Sequence, residues 1–271
     1  MSEIVVRITF RCDSALLGHL PPPVPARAAL PEWLRRMPAS AHSDTHGHDV
    51  RTLKHCPPFV DAMMHGFVIP LPCDVHVAKG ELSWDWTIPQ LSVEGHTRSP
   101  ISFHVPAQLT GSPLHEAARA AVKFNCFWTI ELPAGWSLFA THPVNRADLP
   151  FRTVTGLVDS DRYHDVGIFF PAIWTDPDFS GTLAKGTPVA QCFPVPREPL
   201  ELDIAGFTAD EAASYTATAD AIRAEHGLYR KQFRAHKRSG ASEPIAQTLG
   251  IEEDEAGAGR SEGLSDGAKS G

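Results

Sequence analysis

The chain has 271 residues, of which 42% are hydrophobic and 21% charged, a composition that supports one large core or two smaller ones. Its 24 Lys and Arg against 32 Asp and Glu give a net charge of −8, which argues against nucleic acid as a partner because phosphate binding needs clustered basic side chains. The 24 prolines exclude an all-helical fold, since proline breaks helices. No stretch approaches the roughly 20 consecutive apolar residues of a membrane helix, so no membrane partner is expected.

The N-terminal part is predicted to combine one strand with two short helices. Residues 1–12 alternate apolar and polar side chains, which favours a β-strand and lacks the apolar core of a signal peptide, so we expect a cytoplasmic protein. Proline near the start and a closing glycine predict a helix over 57–66, and proline in the first turn predicts another over 31–37. The polar residues 41–50 are expected to form a loop.

From residue 67 the hydrophobic period changes to that of a strand. The change is clearest where Leu82, Trp84, Trp86 and Ile88 alternate with polar side chains. Short aromatic and β-branched segments, punctuated by Gly, Pro and Asn, predict a mainly β fold, either a β-roll or a distorted barrel. The predicted strands are 67–77, 81–88, 101–106, 123–132, 136–142, 151–160, 164–174 and 186–196, with a helical turn at 115–124.

The C-terminal part is predicted to be a long amphipathic helix followed by a tail. Thr208 and Glu211 form a capping box, and apolar side chains then recur at steps of three and four. This helix would either pack on its own β domain or join copies into a homo-oligomer through 208–238, as in a non-enzymatic assembly protein. We expect a β-rich domain at 1–206, a helix at 207–240 and a disordered acidic tail at 241–271.

A histidine-rich segment supplies the first candidate site. His42, Asp44, His46 and His48 combine imidazole and carboxylate groups, which iron and other first-row metals accept as ligands. A set of two histidines and one carboxylate here would make the protein a non-haem iron oxygenase on a β-roll. The alternative is a solvated loop that is rich in histidine.

Two segments farther along the chain resemble a known family. Residues 156–165, GLVDSDRYHD, and 183–196, LAKGTPVAQCFPVP, resemble segments of the dUTPase and dCTP deaminase family, and they occur in the same order. The resemblance implies a β-clip fold, usually a homotrimer, and magnesium-dependent hydrolysis of dUTP. Residues 50–197 also resemble an uncharacterised family of bacterial and phage proteins, which implies no activity.

The resemblance also implies roles for single residues. Asp159 takes the position of the carboxylate that activates water, and Tyr163 lies one residue away from the position of the pyrimidine-gating tyrosine. Gln191 matches a glutamine of the later strand. Asp161 and His164, in the same segment as Asp159, are further catalytic candidates. The family's phosphate-binding motif before the carboxylate is replaced here by HPVNRADLPF.

That replacement segment supplies candidates for binding an anion. His142, Asn145, Arg146 and Arg152 surround it, and arginine binds carboxylate or phosphate through paired hydrogen bonds. The alternative is a loop held by ordinary hydrogen bonds. We expect a β-clip-like protein that binds a small anionic or nucleotide-like ligand, in its most specific form a divergent nucleotide hydrolase. The sequence does not determine a cofactor; magnesium and iron are the divalent metals that these alternatives would use.

Overall fold

The computed structural model describes residues 5–114, 121–225 and 227–235. Within them the chain is mainly β, as predicted. The strands are β1 Thr9–Arg11, β2 Val24–Pro25, β3 Ser40–Ser43, β4 His48–Arg51, β5 Phe67–Pro70, β6 Val75–Ala78, β7 Glu81–Ser83, β8 Ile101–Phe103, β9 Ala121–Asn125, β10 Thr129–Glu131, β11 Trp136–Thr141, β12 Phe151–Thr153, β13 Gly156–Val158, β14 Phe169–Trp174, β15 Gly181–Leu183 and β16 Pro188–Pro196. The α-helices are α1 Glu32–Arg36, α2 Pro57–Met64 and α3 Ala209–Ala224, with 3-10 turns at Ser14–Leu16, Ala26–Ala29, Leu53–His55 and Pro106–Leu109 and a π-helical turn at Tyr229–Phe233.

A five-stranded antiparallel sheet positions the segments that contain most of the candidate residues, which follow the ends of β11 and β13. Its strand order is β13–β11–β16–β5–β2, and β11 pairs with β16 along its whole length. Side chains alternate along β11, so Leu138 and Ala140 are buried in the core while Phe139 is exposed on the opposite face. The face opposite the core is therefore open at Phe139, although Ser137 and Gln191, which share that face, are buried.

One apolar core joins this sheet to two smaller ones. The four-stranded sheet, β12–β14–β9–β8, contributes Phe124, Phe151 and Phe170, and the three-stranded sheet, β15–β6–β7, contributes Val75 and Leu183. Burial of these side chains together with the inward face of the five-stranded sheet is the main force that holds the sheets together.

The prediction of a distorted barrel is wrong, because the described strands do not close on themselves. The five-stranded sheet ends at β13 on one side and at β2 on the other, and these two strands do not pair. Pro25 in β2 lacks the N–H that pairing with a further strand would use. The sheet therefore keeps β13 as an open edge.

Helices α1 and α2 confirm the two predicted N-terminal helices. Helix α1 begins directly after Pro31, and α2 begins at Pro57 and ends shortly before Gly66. Gly66 has a φ of 71°, and a Cβ here would lie 2.1 Å from the Cys192 carbonyl oxygen. Only glycine therefore fits where the chain passes from α2 into β5.

Several predicted strands differ in length from the observed ones. Of the predicted strand 1–12, only Thr9–Arg11 forms a strand. Of the predicted strand 81–88, only Glu81–Ser83 does. The predicted strand 123–132 is divided into β9 and β10, and the part of 115–124 from residue 121 onward belongs to β9 rather than to a helical turn. Residues 115–120 lie outside the described residues.

The expected loop at 41–50 is in fact a hairpin of β3 and β4. His42 pairs with Asp49 and Ser43 with His48. Gly47, at a φ of 67°, and the acceptance of two backbone N–H groups by the Ser43 carbonyl close the turn between the strands. Composition indicated the turn but concealed the pairing, because neither strand has an apolar face to bury.

Helix α3 is shorter than the predicted helix. It begins with the capping box of Thr208 and Glu211, as predicted, but it ends at Ala224. Glu225 is extended and Gly227 has a φ of 80°, so the α-helix is interrupted there, and residues 236–240 of the predicted helix lie outside the described residues. Almost every side chain of α3 is exposed, so α3 itself does not pack on the β domain, whereas Leu228 and Arg234, farther along the predicted range, do contact the domain. The predicted tail at 241–271 lies outside them.

Candidate functional site

Four polar residues meet at the end of β11 nearest the Gly135 turn, and we call them the Asp159 cluster: Ser137, Asp159, Asp161 and Arg197. Ser137 is fully buried, and its hydroxyl donates to Asp159 Oδ1 at 2.7 Å. Arg197 Nη1 donates to Ser137 Oγ at 3.1 Å and approaches Asp159 Oδ1 at 3.3 Å. Asp159 and Asp161, two residues apart in the sequence, thus both contact an arginine that was not among the predicted site residues.

Asp161 is the most tightly held member of the cluster. Its side chain is only 7% exposed, and it accepts hydrogen bonds from both terminal nitrogens of Arg197 and, at 2.9 Å, from the Gly135 N–H. The Arg197 hydrogen bonds, followed by the Gly135 hydrogen bond, hold the pKa of Asp161 far below its usual range, while the same ion pair raises the pKa of Arg197. Asp161 is therefore a fixed anion with its oxygens engaged, which suits it to positioning Arg197.

Asp159 differs from Asp161 in exposure and in the use of its oxygens. More than half of its side chain is exposed. Oδ1 is fixed by Ser137 and Arg197, while Oδ2 has no partner among the described residues. Two carboxylates against one guanidinium leave the cluster with a net negative charge, so Asp159 Oδ2 is a group that can bind a cation or order a water molecule.

The remaining catalytic candidates lie beside the cluster without joining it. Tyr163 is exposed, and its backbone N–H donates to the Asp159 carbonyl. His164 lies 3.9 Å from Asp165 through Nε2, whereas its Nδ1 is buried without a hydrogen-bond partner. The buried Ser160 hydroxyl is also unpartnered. These orphan polar atoms mark the 159–165 turn as a place that a water or ligand atom could satisfy.

An aromatic surface adjoins the Asp159 cluster on the exposed face of the same sheet. Phe139 of β11 pairs across strands with Phe193 of β16 on one side and with Leu157 of β13 on the other. The imidazole of His65 stacks on Phe193 with ring centres 5.4 Å apart. This surface, Phe139, Phe193 and His65, was not singled out in the sequence, because exposed aromatics on a strand have the same period as buried ones.

At the other end of β11, His142 is engaged on both ring nitrogens. Nε2 lies 2.9 Å from the Arg146 carbonyl oxygen, and Nδ1 lies 3.3 Å from the Thr153 N–H. The first contact requires a proton on Nε2 and the second a lone pair on Nδ1, so the ring is neutral. Burial, followed by the charge of Arg152 among other causes, lowers the pKa of His142 although the Arg146 carbonyl opposes the shift. His142 thus closes a loop and has no free nitrogen for a ligand.

The other predicted anion-binding residues are distributed around this loop. Arg146 forms a paired ion pair with Asp148, with contacts of 2.8 to 3.1 Å, and Asp148 also accepts from the Trp33 indole. Asn145 is exposed in the left-handed conformation, at a φ of 59°. Arg152 is exposed on β12 and has no ion-pair partner among the described residues. Of these residues, only Arg152 offers an unoccupied charge.

Gln191 is buried to 2% exposure, and each of its polar atoms is used inside the protein. Oε1 accepts from the Val144 N–H at 2.9 Å, and Nε2 donates to the carbonyl oxygens of Ala62 and His65 at 3.0 and 2.7 Å. The amide therefore ties the 142–148 loop to the end of α2, and it faces no open space.

The predicted metal ligands lie together on the exposed β3–β4 hairpin without converging. His42 Nδ1 approaches Asp49 at 3.3 Å and its Nε2 approaches Asp44 at 3.9 Å. His46 bonds to Ser43, and His48 to the backbone carbonyl of Asp49. The described residues include no group of three or more His, Cys, Asp or Glu side chains placed to hold a metal ion. The iron-site hypothesis therefore gains no geometric support.

The sequence matches no model of a known protein family and no curated protein. None of the helices within the described residues has the length and apolar character needed to cross a membrane. The Asp159 cluster and the aromatic surface beside it are the groups that bear on function.

Proposed function

We propose that the protein binds a small nucleotide-like phosphate ester on the exposed face of the five-stranded sheet. A divalent cation at Asp159 would neutralise the phosphates, and Phe139 and Phe193 would contact the base. The observation that carries this proposal is the unpartnered Oδ2 of Asp159, next to an oxygen that Ser137 and Arg197 fix. The resemblance of residues 156–165 to the dUTPase family points to the same carboxylate.

The single carboxylate suits magnesium better than a transition metal. Magnesium commonly binds through one or two carboxylates together with the phosphates of its substrate, and it keeps several waters. A site of this kind needs no cluster of three protein ligands, so it is compatible with the groups found here. The net negative charge of the cluster favours the cation and repels a phosphate that arrives without one.

The aromatic surface supplies a second point of attachment. Aromatic side chains bury large apolar areas, and an offset stack with a planar base adds to that burial. Phe139 lies two residues from Ser137 along β11, on the same face of the sheet, and Phe193 is its cross-strand partner on β16. A ligand that spans a base and a phosphate would thus contact both regions at once.

Hydrolysis is the more specific form of the proposal. Asp159 has an exposed oxygen that can order a water molecule, and the fixed Oδ1 limits rotation of the carboxylate. A cation bound by the phosphates would stabilise the charge that develops as water attacks phosphorus. Release of phosphate or pyrophosphate from bound nucleotide distinguishes a hydrolase from a binding protein.

Isothermal titration of the full chain with dUTP and dCTP, with and without magnesium chloride, tests the proposal. We expect a magnesium-dependent binding heat that Asp159→Asn reduces at least tenfold in affinity. Asparagine keeps an oxygen for Ser137, so the thermal midpoint should stay within a few degrees of the wild type. Asp178→Asn is the matched control, since Asp178 is exposed and lies outside both the cluster and the 159–165 turn. No heat with either nucleotide in magnesium, or equal binding by Asp159→Asn, refutes the proposal.

A further inference from the structure

Residues 198–225 form an arm that leaves the β domain, and its apolar side chains are uncovered. Leu200, Leu202 and Ile204 are 91%, 84% and 93% exposed, and Phe207, Tyr215 and Ile222 are also largely exposed. Side chains of this size are normally buried, and a contiguous exposed set usually marks an interaction surface.

The first part of the arm has the pattern of a β-strand without a partner. Leu200, Leu202 and Ile204 alternate with Glu201 and Asp203, so the apolar side chains share one face of an extended chain. No hydrogen bond involves the backbone of residues 198–207 in the described structure. Both the apolar face and the backbone groups of this segment are therefore unsatisfied by protein contacts.

The arm is anchored to the β domain at both ends. Arg197 lies in the Asp159 cluster, and its N–H donates to the Gly135 carbonyl. Beyond the arm, Leu228 is buried and Arg234 forms an ion pair with Asp61 of α2. The exposed stretch is thus a loop held away from the domain, unlike a chain end that merely frays.

Proline explains why the arm does not fold back on its own sheet. Arg197 lies close to the end of β13 of the same chain, through its contacts with Asp159 and Asp161. Pro196 and Pro199 fix the backbone on either side, and Pro199 also restricts Glu198 to an extended conformation. To reach the outer edge of β13 in its own sheet, the arm would have to cross the ends of β11 and β13, starting where the chain is stiffest.

We propose that residues 199–205 add as a strand to the open β13 edge of a second copy of this chain, with the apolar face of α3 following onto the same copy. Strand β13 has β11 on one side and no described strand on the other. Its central residue, Leu157, is 61% exposed and continues the Phe139–Phe193 row to the edge. An added strand extends this row and satisfies backbone groups on both chains.

The distribution of charge favours docking of the arm on the β13 edge over pairing between the arms of two copies. Residues 198–225 contain seven acidic side chains and one basic one, so two arms repel each other. Arg152 lies four residues before β13 and Arg162 four residues after it; both are exposed and neither forms an ion pair among the described residues, although the charge of Arg162 also acts on Asp161. Covering the arm's six large apolar side chains removes on the order of 800 Å² from water, one partner's share of a standard interface.

Sedimentation velocity of the full chain over a range of concentrations tests the proposal. We expect the wild type to be oligomeric and the variant Leu200→Ser/Leu202→Ser/Ile204→Ser to be monomeric with a native circular dichroism spectrum, and we expect the concentration dependence of the wild-type thermal midpoint to be lost in the variant. Leu157→Asp should also give a monomer, because it places a charge on the acceptor edge. An equimolar mixture of these two variants should regain a two-chain complex, since each supplies the half that the other lacks. Val93→Ser, at a similarly exposed apolar residue outside the arm, should leave the wild-type oligomer intact.

A wild type that stays monomeric at every concentration overturns the proposal, as does a triple variant that remains oligomeric. Dissociation by the triple variant but not by Leu157→Asp rejects β13 as the acceptor. If Leu157→Asp loses its native circular dichroism, Arg152→Glu/Arg162→Glu takes its place and should weaken association at least tenfold. Magnesium-dependent nucleotide binding by the monomeric triple variant keeps this result separate from the proposed function.

Discussion

At the 142–148 end of the five-stranded sheet, Gln191 and His142 use their polar atoms on backbone groups, whereas at the opposite end Asp159 keeps one carboxylate oxygen free. Both regions contain side chains that commonly bind ligands. A group whose hydrogen bonds are complete inside the fold must break them to bind a ligand, which costs free energy. A group with an exposed free acceptor can bind a ligand without breaking an internal hydrogen bond. Whether the polar atoms already have hydrogen-bond partners inside the protein, rather than the residue type, therefore distinguishes structural side chains from those that can bind a ligand.

The largest expected effect lies at Gln191. Gln191→Met should lower the free energy of unfolding by about 2–4 kcal/mol, because the Val144 N–H and the Ala62 and His65 carbonyls lose a fully buried partner. Urea unfolding followed by circular dichroism measures the change. Gln90→Met, at an exposed position, is the matched control and should change stability by less than about 0.5 kcal/mol. Equal effects from the two substitutions would remove the contrast between the two ends of the sheet.

The second largest effect is expected at Arg197, which belongs to the Asp159 cluster at the other end of the sheet. Arg197→Met leaves the little-exposed Asp161 carboxylate with only the Gly135 N–H, so the thermal midpoint at pH 7 should fall by several degrees. Arg223→Met, at an exposed ion pair on α3, is the control and should have almost no effect.

The pH dependence identifies Asp161 as the cause. Its folded pKa lies below the ordinary value of 3.8, so the stabilisation is complete above that value and is lost as the pH falls through the folded pKa. The difference between wild type and Arg197→Met should be largest near neutral pH and should shrink as the medium becomes strongly acidic. A difference that stays constant down to pH 2 would assign the effect to lost packing.

The sequence predicted what depends on local pattern and missed what depends on distant contacts. The mainly β class, helices α1 and α2 and the Thr208–Glu211 cap follow from period, proline and capping residues. The predictions of a closed barrel and of the length of the final helix were wrong. Whether a sheet has an open edge and where a glycine adopts the left-handed conformation both depend on tertiary geometry. The resemblance led to Asp159, but nothing adjacent in sequence identified its partner.

Arg197 shows the limit most clearly. It is 38 residues from Asp159, and only the pairing of β11 with β16 and of β11 with β13 brings the two together. Arg146 looked equally suitable in the sequence, but it is neutralised by Asp148 two residues later. A single sequence lists charges, and the register of the strands decides which of them meet.

The smallest expected effect concerns His142 and follows from its neutral ring. The pKa of His142 in the folded chain lies below the ordinary 6.5. As the pH falls below about 6.5, the unfolded chain therefore binds more protons at this residue than the folded chain does. His142 stabilisation is therefore present above that pH and declines below it. His142→Gln should remove a few degrees of the fall in thermal midpoint between pH 7 and pH 5. His48→Gln, on the exposed hairpin, is the control and should show the same fall in thermal midpoint as the wild type. If the thermal midpoint of His142→Gln runs parallel to that of the wild type between pH 7 and pH 5, the ring is protonated in the folded chain and its two backbone contacts do not fix the loop.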